Sequence, residues 1–178
     1  MQSGASSRFE RKYVRPRPGR TIIVGSRIYG GKPDRRDLYE DALGADMQDG
    51  EGVDLVLDLE EPLPHELVGQ FAHVECISVL EHSRRPWRMA ANIERLLQPG
   101  GTLHVQAPFV WRQHGYPSDY WRFTLEGVRE LFPGIDWRQL TYASKWLSPK
   151  PKVPRVQGRD DGETYFGRCE VCGFGERR

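Results

Sequence analysis

The sequence has no long apolar segment and no excess of charge of one sign. Nothing in it approaches the ~18 consecutive apolar residues that a membrane-spanning helix needs, and its first twenty residues lack the apolar core of a secretory signal. We therefore expect a cytoplasmic protein that makes no membrane contact. The 26 Lys and Arg residues balance 25 Asp and Glu residues, for a net charge of +1, which argues against nucleic acid as a partner.

Cysteine is also scarce, with three residues in 178. Cys76 lies in an apolar pattern typical of a buried strand. Cys169 and Cys172 form one C-x-x-C pair, and the chain has no second ligand pair at the spacing of a zinc ribbon. The sequence therefore predicts no metal site and favours two ordinary thiols, with a metal or redox role as the alternative.

The composition divides the chain into a short arm and one domain. Residues 1–20 carry six Arg and Lys residues and two prolines, a pattern that predicts a flexible basic arm. That arm is either a solvated tail or a contact for a phosphate or a partner. Residues 21–178 are long enough for a single domain with its own hydrophobic core.

Strand and helix patterns alternate after the arm. Residues 21–25 are a β-branched apolar run that ends in glycine, which predicts a buried parallel strand before a tight turn. The pattern then predicts a short helix over 34–43 with Asp34 as its N-cap, a second strand over 44–47 and a third over 53–59.

The clearest unit spans residues 73–109. It reads as a strand, the polar pair Glu81–His82, an amphipathic helix that starts near Pro86, a Pro-Gly-Gly turn and a further strand. Alternating strands and helices predict a parallel sheet, and ligands bind such sheets where the strands end. The polar pair lies at that point.

These motifs resemble the class I S-adenosylmethionine (SAM)-dependent methyltransferases, over about residues 21–143. The resemblance lies in Ser78-Val79-Leu80-Glu81-His82 and in the sequence HGYPSDYWRFT at residues 114–124. It implies an α/β, Rossmann-like, doubly wound, mostly parallel sheet of about seven strands whose last strand is antiparallel. The chain departs from the family after its first strand, where an acidic residue and a G-x-G-x-G turn are expected and only Gly25 matches.

The resemblance also implies which residues bind SAM. Asp46 would accept hydrogen bonds from the ribose hydroxyls and Asp58 from the adenine amine, while Gly25 would let the methionine part approach the backbone. The remaining implied contacts adjoin these positions or end the fourth strand: Ser26, Met47, Leu59, Ser78 and Val79. Each aspartate can instead be an ordinary turn carboxylate.

Two groups of residues are candidates for the reaction itself. His82 and Glu81 are the candidate acid–base residues, and the alternative is that they bond loop amides or cap the next helix. The aromatic loop after the fifth strand offers flat and polar side chains for the acceptor, or else it is a packed loop that completes the core. Its candidate substrate contacts are His114, Tyr116, Asp119, Tyr120 and Arg122.

The sequence leaves three functions open. The first is a SAM-dependent methyltransferase with a small-molecule, sugar or nucleotide-like acceptor, because no additional substrate domain is evident. The second is a non-enzymatic binding or assembly module with the same fold, which the altered glycine turn favours. The third and weakest is nucleic-acid modification, with the basic arm and the loop over 145–159 on the phosphates.

Overall fold

The structure, a computed structural model, describes residues 4–31, 33–115, 118–153, 155–157 and 164–178. Its strands in chain order are β1 (Thr21–Val24), β2 (Ala42–Asp46), β3 (Leu55–Val56), β4 (Phe71–Ile77), β5 (Leu97–Val110), β6 (Ile135–Ala143), β7 (Leu147–Ser148), β8 (Arg155–Gln157), β9 (Thr164–Phe166) and β10 (Cys169–Arg177). Eight of them form one sheet in the order β3-β2-β1-β4-β5-β10-β6-β7, and β8 pairs with β9 in a separate ribbon.

The sheet confirms the predicted fold class. Strands β1 to β5 pair in parallel, whereas β10 runs antiparallel between β5 and β6. The order reverses at β1, which has β2 on one side and β4 on the other. This reversal makes the ends of β1 and β4 the switch point of the sheet, where doubly wound folds open a crevice for ligands.

The predicted unit over 73–109 is present as β4, helix α2 (Pro86–Leu96) and β5. Ala90, Ile93 and Leu96 are fully buried at helical spacing and pack α2 onto the sheet. The Pro-Gly-Gly turn falls within the first residues of β5. Helix α3 (Leu125–Leu131) follows, and Thr124 caps it by accepting a 3.0 Å hydrogen bond from the Gly127 amide.

The start of the chain corrects the expectation of a flexible arm. Residues Gly4–Tyr13 form helix α1, which precedes the domain that the sequence predicts. Its Phe9 is fully buried, in a cluster with Ala143, Cys172 and Phe174 on the sheet face opposite α2. The burial of Phe9 therefore orders a segment that its basic residues and prolines suggested would be free.

The helix predicted over 34–43 is also wrong in length. Only Arg35–Leu38 is helical, as a single 3₁₀ turn, although Asp34 caps it as predicted with a 2.9 Å bond from the Arg36 amide. The segment has too few apolar residues to bury a helix face, and Leu38 is 60% exposed. Arg35 instead reaches across the sheet to the buried carboxylate of Glu75.

Other predicted boundaries shift by a few residues. The third strand is the two-residue β3 rather than 53–59. The two thiols of the C-x-x-C pair lie in different hydrophobic clusters. Cys169 is in the cluster on the sheet face that α2 covers, and Cys172 is in the cluster with α1. In the described part of the chain, no helix is both long and apolar enough to cross a membrane.

Candidate active site

The turn after β1 brings the backbone of two strands close together. Gly25 has a φ of +71°, and a Cβ at this position would lie 2.4 Å from Cγ2 of Val79, beyond the end of β4. Ser78 has the only positive φ, +55°, among the described residues other than glycine. A non-glycine residue in this region is under backbone strain, which is typical of functional turns. The strain at Ser78 lies at the switch point of the sheet.

Asp46 ends β2 beside this turn. Its Oδ1 accepts a 3.0 Å hydrogen bond from the Gln48 amide, and its Oδ2 a weaker 3.4 Å bond from the Arg27 amide. Gly25 donates its amide to the carbonyl of Ala45 at 2.8 Å. The structure therefore places Asp46, Gly25 and Ser26 together, while the neighbouring Met47 is 55% exposed.

Asp58 and Leu59 follow β3, at the edge of the sheet. The exposed Asp58 carboxylate accepts a 2.8 Å bond from the Glu60 amide, which is the geometry of a local turn. Leu59 is 2% exposed, and its carbonyl accepts a 3.0 Å bond from Asn92. The contacts of these two residues are thus those of a turn and of the core.

Arg168 is a residue at this edge that the sequence reasoning missed. Because β10 is antiparallel to β5, the start of β10 lies beside the end of β5. The Arg168 guanidinium forms an ion pair with Glu170, lies 4.8 Å from the centre of the Trp111 ring and is 3.5 Å from Oγ of Ser78. The sequence pattern predicts a strand over 164–171, and nothing in that pattern marks Arg168 as a site residue.

Glu81, His82 and His114 meet between the ends of β4 and β5. Oε1 of Glu81 is 3.8 Å from Nε2 of His82, and the two imidazole rings contact edge to face at 5.0 Å between centroids. Oε2 of Glu81 is buried and has no hydrogen-bond partner among the described residues. Nδ1 of His82 is 2.6 Å from the carbonyl oxygen of Ser118, so this nitrogen carries the proton and Nε2 has the free lone pair.

The loop that carries His114 is held by a central carboxylate. Asp119 accepts two hydrogen bonds from the Arg122 guanidinium and one of 2.9 Å from the His114 amide. The Tyr120 amide donates to the Glu81 carbonyl at 2.8 Å, which ties the loop to the end of β4. Tyr116 lies outside the described residues.

The surroundings of these groups shift their pKa values in different directions. Burial raises the pKa of Glu81 to about 7, and the nearby Asp119 charge adds to this effect. Burial lowers the pKa of His82 from its usual value. The hydrogen bonds from Arg122 outweigh burial at Asp119 and hold the pKa of that carboxyl at about 2.

The residues at the switch point suit the ribose and methionine parts of SAM. Asp46 presents an acceptor beside a glycine turn, and Oγ of Ser26 is a buried polar atom with no partner in the described structure. The carboxylate and the close backbone approach match what a ribose and an amino-acid moiety require. The fit is poorer on the adenine side, where the Asp58 carboxylate bonds within its own turn.

The comparisons with known proteins identify the fold. No protein-family model matches the sequence, and no curated protein is significantly similar to it. Among solved structures, a protein described as a methyltransferase, in complex with the Haloferax volcanii Trm112 methyltransferase activator, has a TM-score of 0.63 and 18% identity over 97% of this chain and 88% of that chain.

Two further structures are similar along nearly the whole chain. A Thermotoga maritima SAM-dependent methyltransferase has a TM-score of 0.58 and 13% identity over 98% of this chain and 88% of its own. The Burkholderia thailandensis 1,6-didemethyltoxoflavin-N1-methyltransferase, with S-adenosylhomocysteine and its substrate bound, has a TM-score of 0.56 and 15% identity over 97% of this chain and 76% of its own. This chain therefore has the fold of the class I SAM-dependent methyltransferases.

Proposed function

We propose that the protein is a cytoplasmic SAM-dependent methyltransferase. The observation that carries the proposal is the placement of Asp46 and the Gly25 turn at the switch point of the sheet, on the same edge as the Glu81–His82 pair. An aspartate that could accept hydrogen bonds from the cofactor and a polar reaction site would thus share one edge of the sheet. The bound S-adenosylhomocysteine of the similar Burkholderia enzyme supports this choice of cofactor.

Asp46 would bind the ribose, and Gly25 and Ser26 the methionine part, with Met47 alongside. Ser78 and Val79 would lie beneath the sulfur, while Leu59 and Asp58 would flank the adenine. When bound, SAM supplies a methyl group on a positively charged sulfur, which is already an activated leaving group. The protein therefore needs mainly to orient the acceptor toward that methyl group.

Glu81 and His82 would act on the acceptor. The hydrogen bond from Nδ1 of His82 to Ser118 fixes the ring so that the lone pair of Nε2 faces the Glu81 carboxylate. A lone pair in this position can accept a proton from an acceptor hydroxyl or amine as the methyl group is transferred. Glu81 would orient the acceptor or share its proton.

The acceptor would lie against the loop over 111–123. Tyr120 is 44% exposed. Trp121 is 38% exposed, and its ring contacts that of Trp87, which is 54% exposed, edge to face. Exposed flat rings beside polar groups suit a sugar or nucleotide-like molecule. Of the predicted substrate contacts, His114 and Tyr120 would touch the acceptor, and Tyr116, outside the described residues, stays a predicted contact. Asp119 and Arg122 pair with each other, so we assign them to holding the loop.

A non-enzymatic binding module is the second candidate. The observation that favours it is the segment after the Gly25 turn, where a single 3₁₀ turn replaces the short helix that the sequence predicts over 34–43. Because the similar Haloferax protein was solved with an activator protein, such a module would bind a protein partner.

Calorimetry with S-adenosylhomocysteine tests the methyltransferase proposal. We expect saturable binding by the wild-type chain and at least a tenfold loss of affinity in Asp46→Asn, because a hydrogen bond to a charged group contributes about 1.5–3 kcal/mol. The control is Asp49→Asn, since Asp49 is an exposed turn residue whose carboxylate bonds the next amide. No detectable heat from the wild type at millimolar ligand contradicts the proposal, and unchanged binding by Asp46→Asn removes Asp46 from the site.

A further inference from the structure

Two buried groups of carboxylate and imidazole side chains differ in how their charge is neutralised. In the first, Glu75 beside His104 forms an ion pair with Arg35 and accepts a 2.7 Å hydrogen bond from Tyr39. In the second, Glu81 is 1% exposed, and its Oε2 has no hydrogen-bond partner within the described parts of the chain. The second group is therefore the one whose buried carboxylate still lacks a bonded partner.

The second group also has the spacing of a metal site. Glu81, His82 and His114 each offer a ligand atom, and these atoms all lie within 4.8 Å of one another. Ligands about 2.0–2.2 Å from a Zn²⁺ ion lie roughly 3.0–3.5 Å apart. The 3.8 Å between Oε1 of Glu81 and Nε2 of His82 is already close to that range. A shift of about 1 Å would bring in the third ligand atom.

Neighbouring groups hold both imidazoles in the way that metal-binding histidines are held. Nδ1 of His82 donates to the Ser118 carbonyl at 2.6 Å and leaves Nε2 as a ligand. Nδ1 of His114 is 3.0 Å from Oδ2 of Asp119, although the angle is not that of a hydrogen bond. A carbonyl or carboxylate behind the ring orients a metal-binding histidine and raises its basicity.

We propose that Glu81, His82 and His114 bind one divalent transition-metal ion, such as Zn²⁺ or Co²⁺. Two imidazole nitrogens and one carboxylate oxygen suit these ions and leave at least one coordination position open. The open position lies between the ends of β4 and β5. If the proposed methyltransferase function holds, that position would take the hydroxyl oxygen of the acceptor, and the ion would promote loss of the hydroxyl proton to water; Nε2 of His82 would then be a metal ligand and not the base. The acceptor class is then an alcohol or phenol.

Cobalt is the probe for this site. The full chain without a polyhistidine tag is titrated with Co²⁺, and binding is followed by visible absorption and by calorimetry. We expect one Co²⁺ per chain and at least a tenfold loss of affinity in both Glu81→Gln and His114→Gln. The matched control is His65→Gln, because His65 is an exposed histidine in a separate 3₁₀ turn. Circular dichroism shows whether each variant is folded. If His114→Gln is not folded, the isosteric variant Glu81→Gln alone decides the test.

Two results overturn the metal proposal: no saturable Co²⁺ binding by the wild type, or binding by folded Glu81→Gln that is as tight as that of His65→Gln. Titration of the same samples with S-adenosylhomocysteine separates this proposal from the proposed function. Co²⁺ binding without nucleoside binding supports the metal site and contradicts the methyltransferase. Nucleoside binding without Co²⁺ binding contradicts the metal site and leaves the methyltransferase intact.

Discussion

Replacing Arg35 with methionine removes the cation that neutralises a deeply buried carboxylate. Glu75 is fully buried in β4, and Arg35 reaches it from the 3₁₀ turn while also pairing with Glu10 of α1 at 2.7 Å. Burial alone would raise the pKa of Glu75, but the hydrogen bonds from Arg35, with the nearby His104, outweigh it and hold that pKa well below its usual range. The Glu75 carboxylate is thus ionised in the folded protein at neutral pH.

The expected loss of stability follows from what remains around Glu75. Removal of one partner of a buried ion pair costs about 3–5 kcal/mol, because the other charge stays buried and unpaired. In Arg35→Met the carboxylate keeps its 2.7 Å hydrogen bond from Tyr39, and the Arg35 side chain was 25% exposed in the intact pair. Both facts point to the lower end of the range, about 3 kcal/mol at pH 7.

The pH dependence of this loss has a definite sign. In the wild type, the lowered pKa of Glu75 stabilises the fold above pH ~4.5, and the contribution is lost as the pH falls. In Arg35→Met the unpaired carboxyl gains a raised pKa, so the variant is destabilised most at neutral pH. The difference in unfolding free energy between the two proteins should therefore shrink on acidification from pH 7 to pH 5.

Urea unfolding followed by tryptophan fluorescence measures this difference. The double variant Arg35→Met, Glu75→Gln should recover part of the loss, since a neutral amide can still accept the Tyr39 hydrogen bond. The matched control is Arg36→Met, because Arg36 pairs with Asp34 and Asp54 in a more solvent-exposed setting and should cost less than about 1 kcal/mol. A loss of stability in Arg35→Met that is no larger than in Arg36→Met would show that Arg35 does not stabilise the buried Glu75 charge.

Three further predictions concern stability. Phe9→Ala should cost about 3–5 kcal/mol and expose residues 4–13 to proteolysis, because Phe9 is fully buried, whereas Arg8→Ala should do neither. Burial lowers the pKa of His73 to about 4, so its contribution to stability is lost as the pH falls from about 6.5 to 4. Glu81, with its raised pKa, has the opposite effect on the pH dependence of stability. Urea unfolding of the wild type and of His73→Gln at several pH values therefore isolates the effect of His73. Equal slopes of unfolding free energy against pH in the two proteins would contradict a lowered pKa for His73. Thr124→Ala should lower the unfolding free energy by about 1 kcal/mol through loss of the α3 cap, and Thr124→Ser, which keeps the capping hydroxyl, serves as the control.

The part of the fold that could be predicted from the sequence is the part in which local pattern and burial agree. The segment 73–109 has an apolar strand, helical spacing of buried residues after Pro86 and a turn, and each appears in the structure. Helix α1 was missed because its apolar face consists of small or isolated residues among arginines. The length of the helix over 34–43 was overestimated. A local cap signal carries no information about the distant Glu75, with which Arg35 forms an ion pair.

The candidate site was predictable in its components rather than in their arrangement. Glu81, His82 and Asp46 follow strands, so their edge of the sheet could be inferred from strand order. His114 was expected to contact substrate, but its position beside Glu81 depends on the loop that Asp119 and Arg122 hold. Arg168 reaches the same edge only because β10 is antiparallel, and this contact joins residues 90 positions apart.

A crystal structure of the protein with S-adenosylhomocysteine would show directly whether the cofactor binds at the switch point of the sheet. We expect the ribose hydroxyls within hydrogen-bond distance of the Asp46 carboxylate, with the amino-acid end of the ligand at the Gly25 turn and its sulfur above Ser78. The Glu81–His82–His114 cluster should then lie on the acceptor side of that sulfur. A ligand bound elsewhere on the sheet, or no bound ligand at saturating concentration, would contradict a cofactor site at the switch point.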